Sequence, residues 1–146
     1  MKLYVINGPN LNMLGKREPE LYGVKTLLEI ENDLVELGAD LGHEIKCFQS
    51  NIEGEIVSFI QNAGVEGNGI ILNAGAYTHT SIAIRDAVLC CSLPVVEVHL
   101  SNPHAREVFR RRSLLSDVCR GVIAGFGWRS YCLALTWFAD YYDDER

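Results

Sequence analysis

No apolar run in this 146-residue chain approaches the ~20 residues that a membrane-spanning helix needs, and the opening Met1-Lys2-Leu3-Tyr4-Val5-Ile6 is too short for a signal peptide. These absences predict a cytoplasmic protein without a membrane partner. Positive charge is not in excess either. Thirteen Lys and Arg stand against 19 Asp and Glu, a net charge of -6 that argues against a nucleic-acid surface. Within that acidic whole, Arg106, Arg110, Arg111 and Arg112 form a local basic cluster suited to a small anion. The cysteines, Cys47, Cys90, Cys91, Cys119 and Cys132, show neither a CxxC pair nor a Cys/His zinc spacing, so they read as reduced interior thiols. Nucleotide-cradling glycine patterns are missing after the first apolar run, and Gly67-Asn68-Gly69 precedes a strand instead of opening a helix. A phosphate-accepting receiver module would need an aspartate where Asn73 stands. His79, His99 and His104 lack a recognisable ligand spacing, which leaves no metal to expect.

The composition is that of an ordinary globular protein, 48% hydrophobic and 22% charged, and the length predicts one domain over residues 1–146. Residues 3–7 read as a strand buried on both faces. It runs directly into a Gly- and Pro-punctuated loop over residues 7–23, far longer than the roughly 2–6 residues that usually join strand to helix. Helix and strand then alternate. Residues 26–41 read as a helix with Leu27, Ile30, Leu34, Leu37 and Leu41 on one stripe, and residues 45–49 as a strand. Residues 53–63 follow as a helix, 69–72 as a strand, 81–91 as a helix and 95–98 as a strand. A short helix over 106–111, a strand over 121–124 and a helix over 130–142 complete the series, with Tyr131, Leu135, Phe138 and Tyr142 as its core stripe and residues 143–146 as a solvated tail.

Five strands alternating with helices predict right-handed crossovers and a doubly wound, flavodoxin-like α/β fold: a five-stranded parallel sheet, order 2-1-3-4-5, with helices on both faces. Ligands in such sheets bind beyond the carboxyl ends of the strands, near the reversal between strands 1 and 3. Residues 7–23, 73–81 and 99–104 all fall on that rim. Singly, their residues are unremarkable in role: Asn10 and Asn12 suit turn hydrogen bonds, Thr80 or Ser81 a helix cap, Tyr22 packing, and His79 or His99 a structural bond. Convergence of Arg17, Tyr22 and His99 on one rim favours an active site.

The same segments carry a resemblance. Gly8-Pro9-Asn10-Leu11-Asn12 with Arg17-Glu18 and Tyr22-Gly23, Phe48-Gln49-Ser50-Asn51, Leu72-Asn73-Ala74-Gly75 with Thr78-His79-Thr80-Ser81, Glu97-Val98-His99-Leu100-Ser101-Asn102, and His104-Ala105-Arg106-Glu107 with Phe109-Arg110 follow in order. In these motifs the chain resembles the type II 3-dehydroquinate dehydratases from residue 3 to about residue 139. The resemblance implies a lyase that dehydrates 3-dehydroquinate to 3-dehydroshikimate through an enolate, without metal, Schiff base or other cofactor. Tyr22 would match the general base, Arg17 the arginine that favours its phenolate and stabilises the transition state, and His99 the general acid. A phenol ordinarily titrates near 10, and a guanidinium at ~4 Å with an effective dielectric of ~20 contributes on the order of 4 kcal/mol, enough to ionise one near neutral pH. Glu97, on the same side of the strand, would orient His99 or hold its proton, and Asn10 would hold a water against the enolate oxygen. Substrate binding would fall to Asn73, His79, Leu100, Ser101 and Arg110, with Arg106, four residues earlier on the expected helix, as a second candidate. Asp86 would match an acidic residue lent to a neighbouring subunit, which implies a homo-oligomer, a dodecamer built from trimers.

The chain departs from that pattern at Ile52, where histidine is frequent, at Leu114, where an aromatic is common, and at Ser130, where glycine is expected. Rival readings from the residues alone are a flavin-type cofactor binder on the same fold, a metal hydrolase using His79, His99 and His104, and an assembly protein that has lost its chemistry. The last would be expected to lack Arg17, Tyr22 or His99, and all are present.

Overall fold

In the computed structural model, which describes residues 1–144, strand β1 (Lys2–Asn7) sends Leu3 and Val5 to one side of a sheet and Tyr4 and Ile6 to the other. All four are buried, so neither face is left to solvent and helices must cover both. β1 is flanked by β2 (Glu44–Gln49) and β3 (Gly69–Asn73), and β4 (Val95–His99) and β5 (Gly121–Ala124) extend the sheet beyond β3. All pairings are parallel and the order is β2-β1-β3-β4-β5, the flavodoxin-like order expected.

A single helical turn, α1 (Pro19–Tyr22), lies inside the loop after β1. Helices α2 (Leu27–Asp40) and α5 (Arg129–Asp144) cover one face, where Ile30, Leu34, Tyr131, Leu135 and Phe138 meet Leu3, Val5, Ile71 and Val98. Helices α3 (Glu53–Glu66) and α4 (Ile82–Cys90) cover the other with Ile56, Ile60, Ile84 and Val88 against Tyr4, Ile6, Ile70 and Leu72. The start of α2 is locally encoded: the Thr26 hydroxyl accepts from the Glu29 amide and the Glu29 carboxylate accepts from the Thr26 amide. Ser81 caps α4 by accepting from the Ile84 amide at 2.9 Å.

Three expectations need correction. The segment 106–111 is not a helix; two 3-10 turns, Pro103–Ala105 and Val108–Arg110, flank an extended Arg106. The Asn102 side chain caps the first turn through the His104 amide, and with no apolar stripe to bury, a longer helix has nothing to offset its nucleation cost. The cysteines are free but not interior: Cys90 is exposed and the other four are half-buried. Asp143 and Asp144 end α5 instead of forming a tail, and residues 145–146 lie outside the described residues. Among the described residues no helix is long and apolar enough to cross a membrane.

Candidate active site

Parallel pairing puts Gln49, Asn7 and Asn73 side by side at the carboxyl edge of the sheet, with His99 ending β4 beyond them. The chain leaving β1 passes very close to the chain leaving β3: the Gly8 amide donates to the Asn73 carbonyl at 2.8 Å, and a Cβ on Gly8 would sit 2.3 Å from the Ala74 carbonyl oxygen. Only glycine permits that approach. Gln49 donates to the Gly8 carbonyl and to the Asn51 side chain, which in turn accepts from the Asn10 amide at 3.0 Å. The last residue of β2 and Asn51 just after it therefore hold the first turn of the long loop. Asn10 takes the left-handed conformation there, at φ 66°, which asparagine tolerates better than most side chains.

Below the rim, the buried Tyr131 hydroxyl accepts from Asn73 Nδ2 at 2.9 Å and donates to Asn7 Oδ1 at 2.5 Å. Burial pushes its phenol up, so it stays a neutral link between two strand ends. Asn73 also accepts from the Gly75 amide, so its side chain is held on two sides while it lines the cleft above.

That cleft encloses about 680 Å³, its open mouth included, and its walls come from all three expected loops. Asn10, Arg17 and Tyr22 enter from the β1 loop, Asn73 and His79 from the β3 end, and His99, Leu100, Ser101, Arg106 and Arg110 from the β4 end. Arg17 Nη2 donates to the Tyr22 hydroxyl at 3.4 Å, and its Cζ lies 4.8 Å from the Tyr22 ring centre. Arg106 Cζ stands 5.3 Å from the same ring and its Nη1 donates to Ser101 Oγ at 3.3 Å. The Tyr22 ring thus has two guanidiniums close by, one of which also meets its hydroxyl. Helical spacing to Arg110 suggested Arg106 only weakly, and for a wrong reason, since an extended backbone and not a helix face brings it in.

On β4, His99 Nε2 and Glu97 Oε2 are 2.7 Å apart, and both side chains are nearly excluded from solvent. Burial would raise the Glu97 carboxyl, but bonds from His99, Ser113 and Ser116 outweigh it and hold the carboxyl below its ordinary range. His79 Nδ1 contacts the Arg112 carbonyl at 2.8 Å, and Arg110 is held by Glu107 at 2.7 Å. Asp86 is not in the cleft; it shares a separate groove with Arg85, Arg112 and Asp117. Ser113 and Ser116 were not foreseen from the sequence, because nothing in their spacing ties them to a strand some 16 to 19 residues earlier. Among the described residues no group of three His, Cys, Asp or Glu side chains is placed to hold a metal ion.

The sequence model of the dehydroquinase class II family matches residues 1–139. This chain belongs to that family. It is 56% identical over 133 residues to the 3-dehydroquinate dehydratase 1 of Agrobacterium fabrum, covering 91% of this chain and 92% of that one. It is 55% identical over 141 residues to a 3-dehydroquinate dehydratase of Prochlorococcus marinus, covering 97% of each. The crystal structure of the type II dehydroquinase from Propionibacterium acnes superposes with a TM-score of 0.93 at 40% identity, over 95% of this dehydroquinase-family chain and 96% of that one. The family's positions expected at Ile52 and Ser130 are filled here by an exposed side chain and by a buried hydroxyl that accepts from the Phe126 amide at 3.2 Å. Leu114 contributes its carbonyl, which accepts from Arg85 Nη1 at 2.8 Å.

Proposed function

We propose that this chain, as one domain over residues 1–146, is a cofactor-free hydro-lyase that dehydrates 3-dehydroquinate to 3-dehydroshikimate and water. Membership of the dehydroquinase class II family and the relatives named 3-dehydroquinate dehydratase support the reaction. The observation that carries the chemistry is that a phenol with two guanidiniums beside it and a carboxylate-bound imidazole line one cleft. As its phenolate, Tyr22 takes the proton next to the ketone, and the C–H electron pair becomes the enolate. Arg17 and Arg106 favour that phenolate, and they offset negative charge as it passes to the substrate. A water held by Asn10 hydrogen-bonds to the enolate oxygen. When the enolate collapses, the C–O bond to the departing hydroxyl breaks and His99 supplies the proton that makes it water. The protons on Tyr22 and His99 are then exchanged with solvent.

Asn73, His79, the Leu100 and Ser101 amides and the Ser101 hydroxyl bind the substrate together with Arg110, whose charge fits the substrate carboxylate. Asp86, outside its own cleft, serves a neighbouring subunit's cleft in a dodecamer built from trimers. The reaction serves the shikimate pathway, and the protein works in the cytoplasm. Mixing the purified protein with 3-dehydroquinate and following ultraviolet absorbance tests this directly. Growth of the conjugated enone signal is expected, and its absence at micromolar enzyme would sink the assignment.

A further inference from the structure

The hydrogen bonds around Glu97 have a fixed direction. Ser113 Oγ accepts from two backbone amides, Leu115 at 3.0 Å and Ser116 at 3.1 Å, which occupies both of its lone pairs. Its hydroxyl proton is therefore committed to Glu97 Oε1, 2.8 Å away. Ser116 Oγ adds a bond shared between Oε1 and Oε2, at 3.1 Å to each. Oε1 can then only accept, and the proton between Oε2 and His99 Nε2 is pushed to the imidazole.

We infer that Ser113 and Ser116 are positioning residues that keep Glu97 an acceptor and thereby fix His99 with its shared proton on Nε2, leaving Nδ1 as the atom that meets the cleft. A neutral His99 in this tautomer has no proton on Nδ1 to give. The acid form is therefore the imidazolium, with Glu97 as its fixed counter-charge. The kinetic part of this inference rests on the reading of His99 as the general acid; the tautomer part does not.

Nitrogen-15 NMR of the histidine side chains tests it, with the His99 signals assigned by their loss in His99→Asn. Neutral wild-type His99 should be protonated on Nε2 alone. Ser113→Ala should give a mixture of tautomers, Ser116→Ala a smaller admixture, and Ser113→Thr, which keeps the hydroxyl, a return to one tautomer. In turnover, Ser113→Ala should lower kcat about tenfold with KM changed less than about twofold, a part of the ~100-fold or more that a placed acid contributes. A purely structural role would lower stability without moving the tautomer. An unchanged His99 tautomer in Ser113→Ala, or in Ser116→Ala should the first variant fail to fold, overturns the inference. A wild-type protein inactive on 3-dehydroquinate but with the expected tautomer response overturns the functional reading and not this one.

Discussion

Tyr22 has electropositive surroundings because Arg17 touches its hydroxyl and Arg106 lies over its ring. Arg17 also has Glu18 at 3.6 Å, but Glu18 is exposed and Arg17 only half-buried, so solvent screens that competitor. Replacing Tyr22 with Phe keeps the ring beside the guanidiniums and removes the proposed base. Turnover should then fall by ~100-fold or more while substrate affinity, measured by calorimetry, stays near wild type; a wild-type rate would remove Tyr22 from its role. Glu97 gives a second prediction, in stability. Its carboxyl is held below the ordinary value near ~4.3, so between those two values the unfolded chain binds the extra proton and stability rises with pH. The contribution is complete above the ordinary value and is lost as pH falls through the folded one. Thermal melts from about pH 7 to about pH 3 should show a steeper loss below ~4.5 for wild type than for Glu97→Gln. Equal slopes would mean that other carboxylates account for the acid sensitivity.

At the scale of elements, β4 and the loop after β1 behave oppositely. β4 is buried along its whole length, and its period of two places Glu97 and His99 on one side without further help. The loop carries Tyr22 on one turn of helix and Arg17 just ahead of it, with Glu18 at φ 37° between Arg17 and the turn and glycines at positive φ on both sides, Gly15 at 83° and Gly23 at 85°. Such a segment has few contacts to lose on opening, so the arrangement suits a lid over bound substrate. Limited proteolysis should cut between Met13 and Tyr22 in the free protein and be slowed by a substrate analogue. Cleavage at the same rate with and without ligand would count against closure.

For the molecule as a whole, the sheet ends on β5, an edge strand with Val122 46% exposed, and Phe126 just after it is more than half exposed, as are Val108 and Phe109 on the second 3-10 turn. Apolar side chains and an open strand edge of this kind call for a covering partner, which agrees with the proposed homo-oligomer. If Asp86 acts in a neighbour's cleft, Asp86→Ala and Tyr22→Phe are both weak alone but complement each other when unfolded and refolded together. Mixed assemblies then contain clefts with Tyr22 from one chain and Asp86 from another. Absence of any recovered turnover, with mixed assemblies verified by mass, would place Asp86 outside the reaction.

Most of the architecture was legible in the sequence because hydrophobic period is local: the Leu27 to Leu41 stripe and the apolar run of β1 each act within a few residues. The alternation of strands and helices then leaves few topologies, and with them the rim where Tyr22, Arg17 and His99 meet. What only the tertiary structure decided is everything that depends on a distant partner. Arg106 lies over Tyr22 from an extended turn that its own sequence suggested would be a helix, Ser113 and Ser116 reach back to Glu97, and Tyr131 ties Asn7 to Asn73. Those contacts join residues far apart in the chain, and their geometry is set by how the sheet and its helices pack, which no local pattern of side chains records.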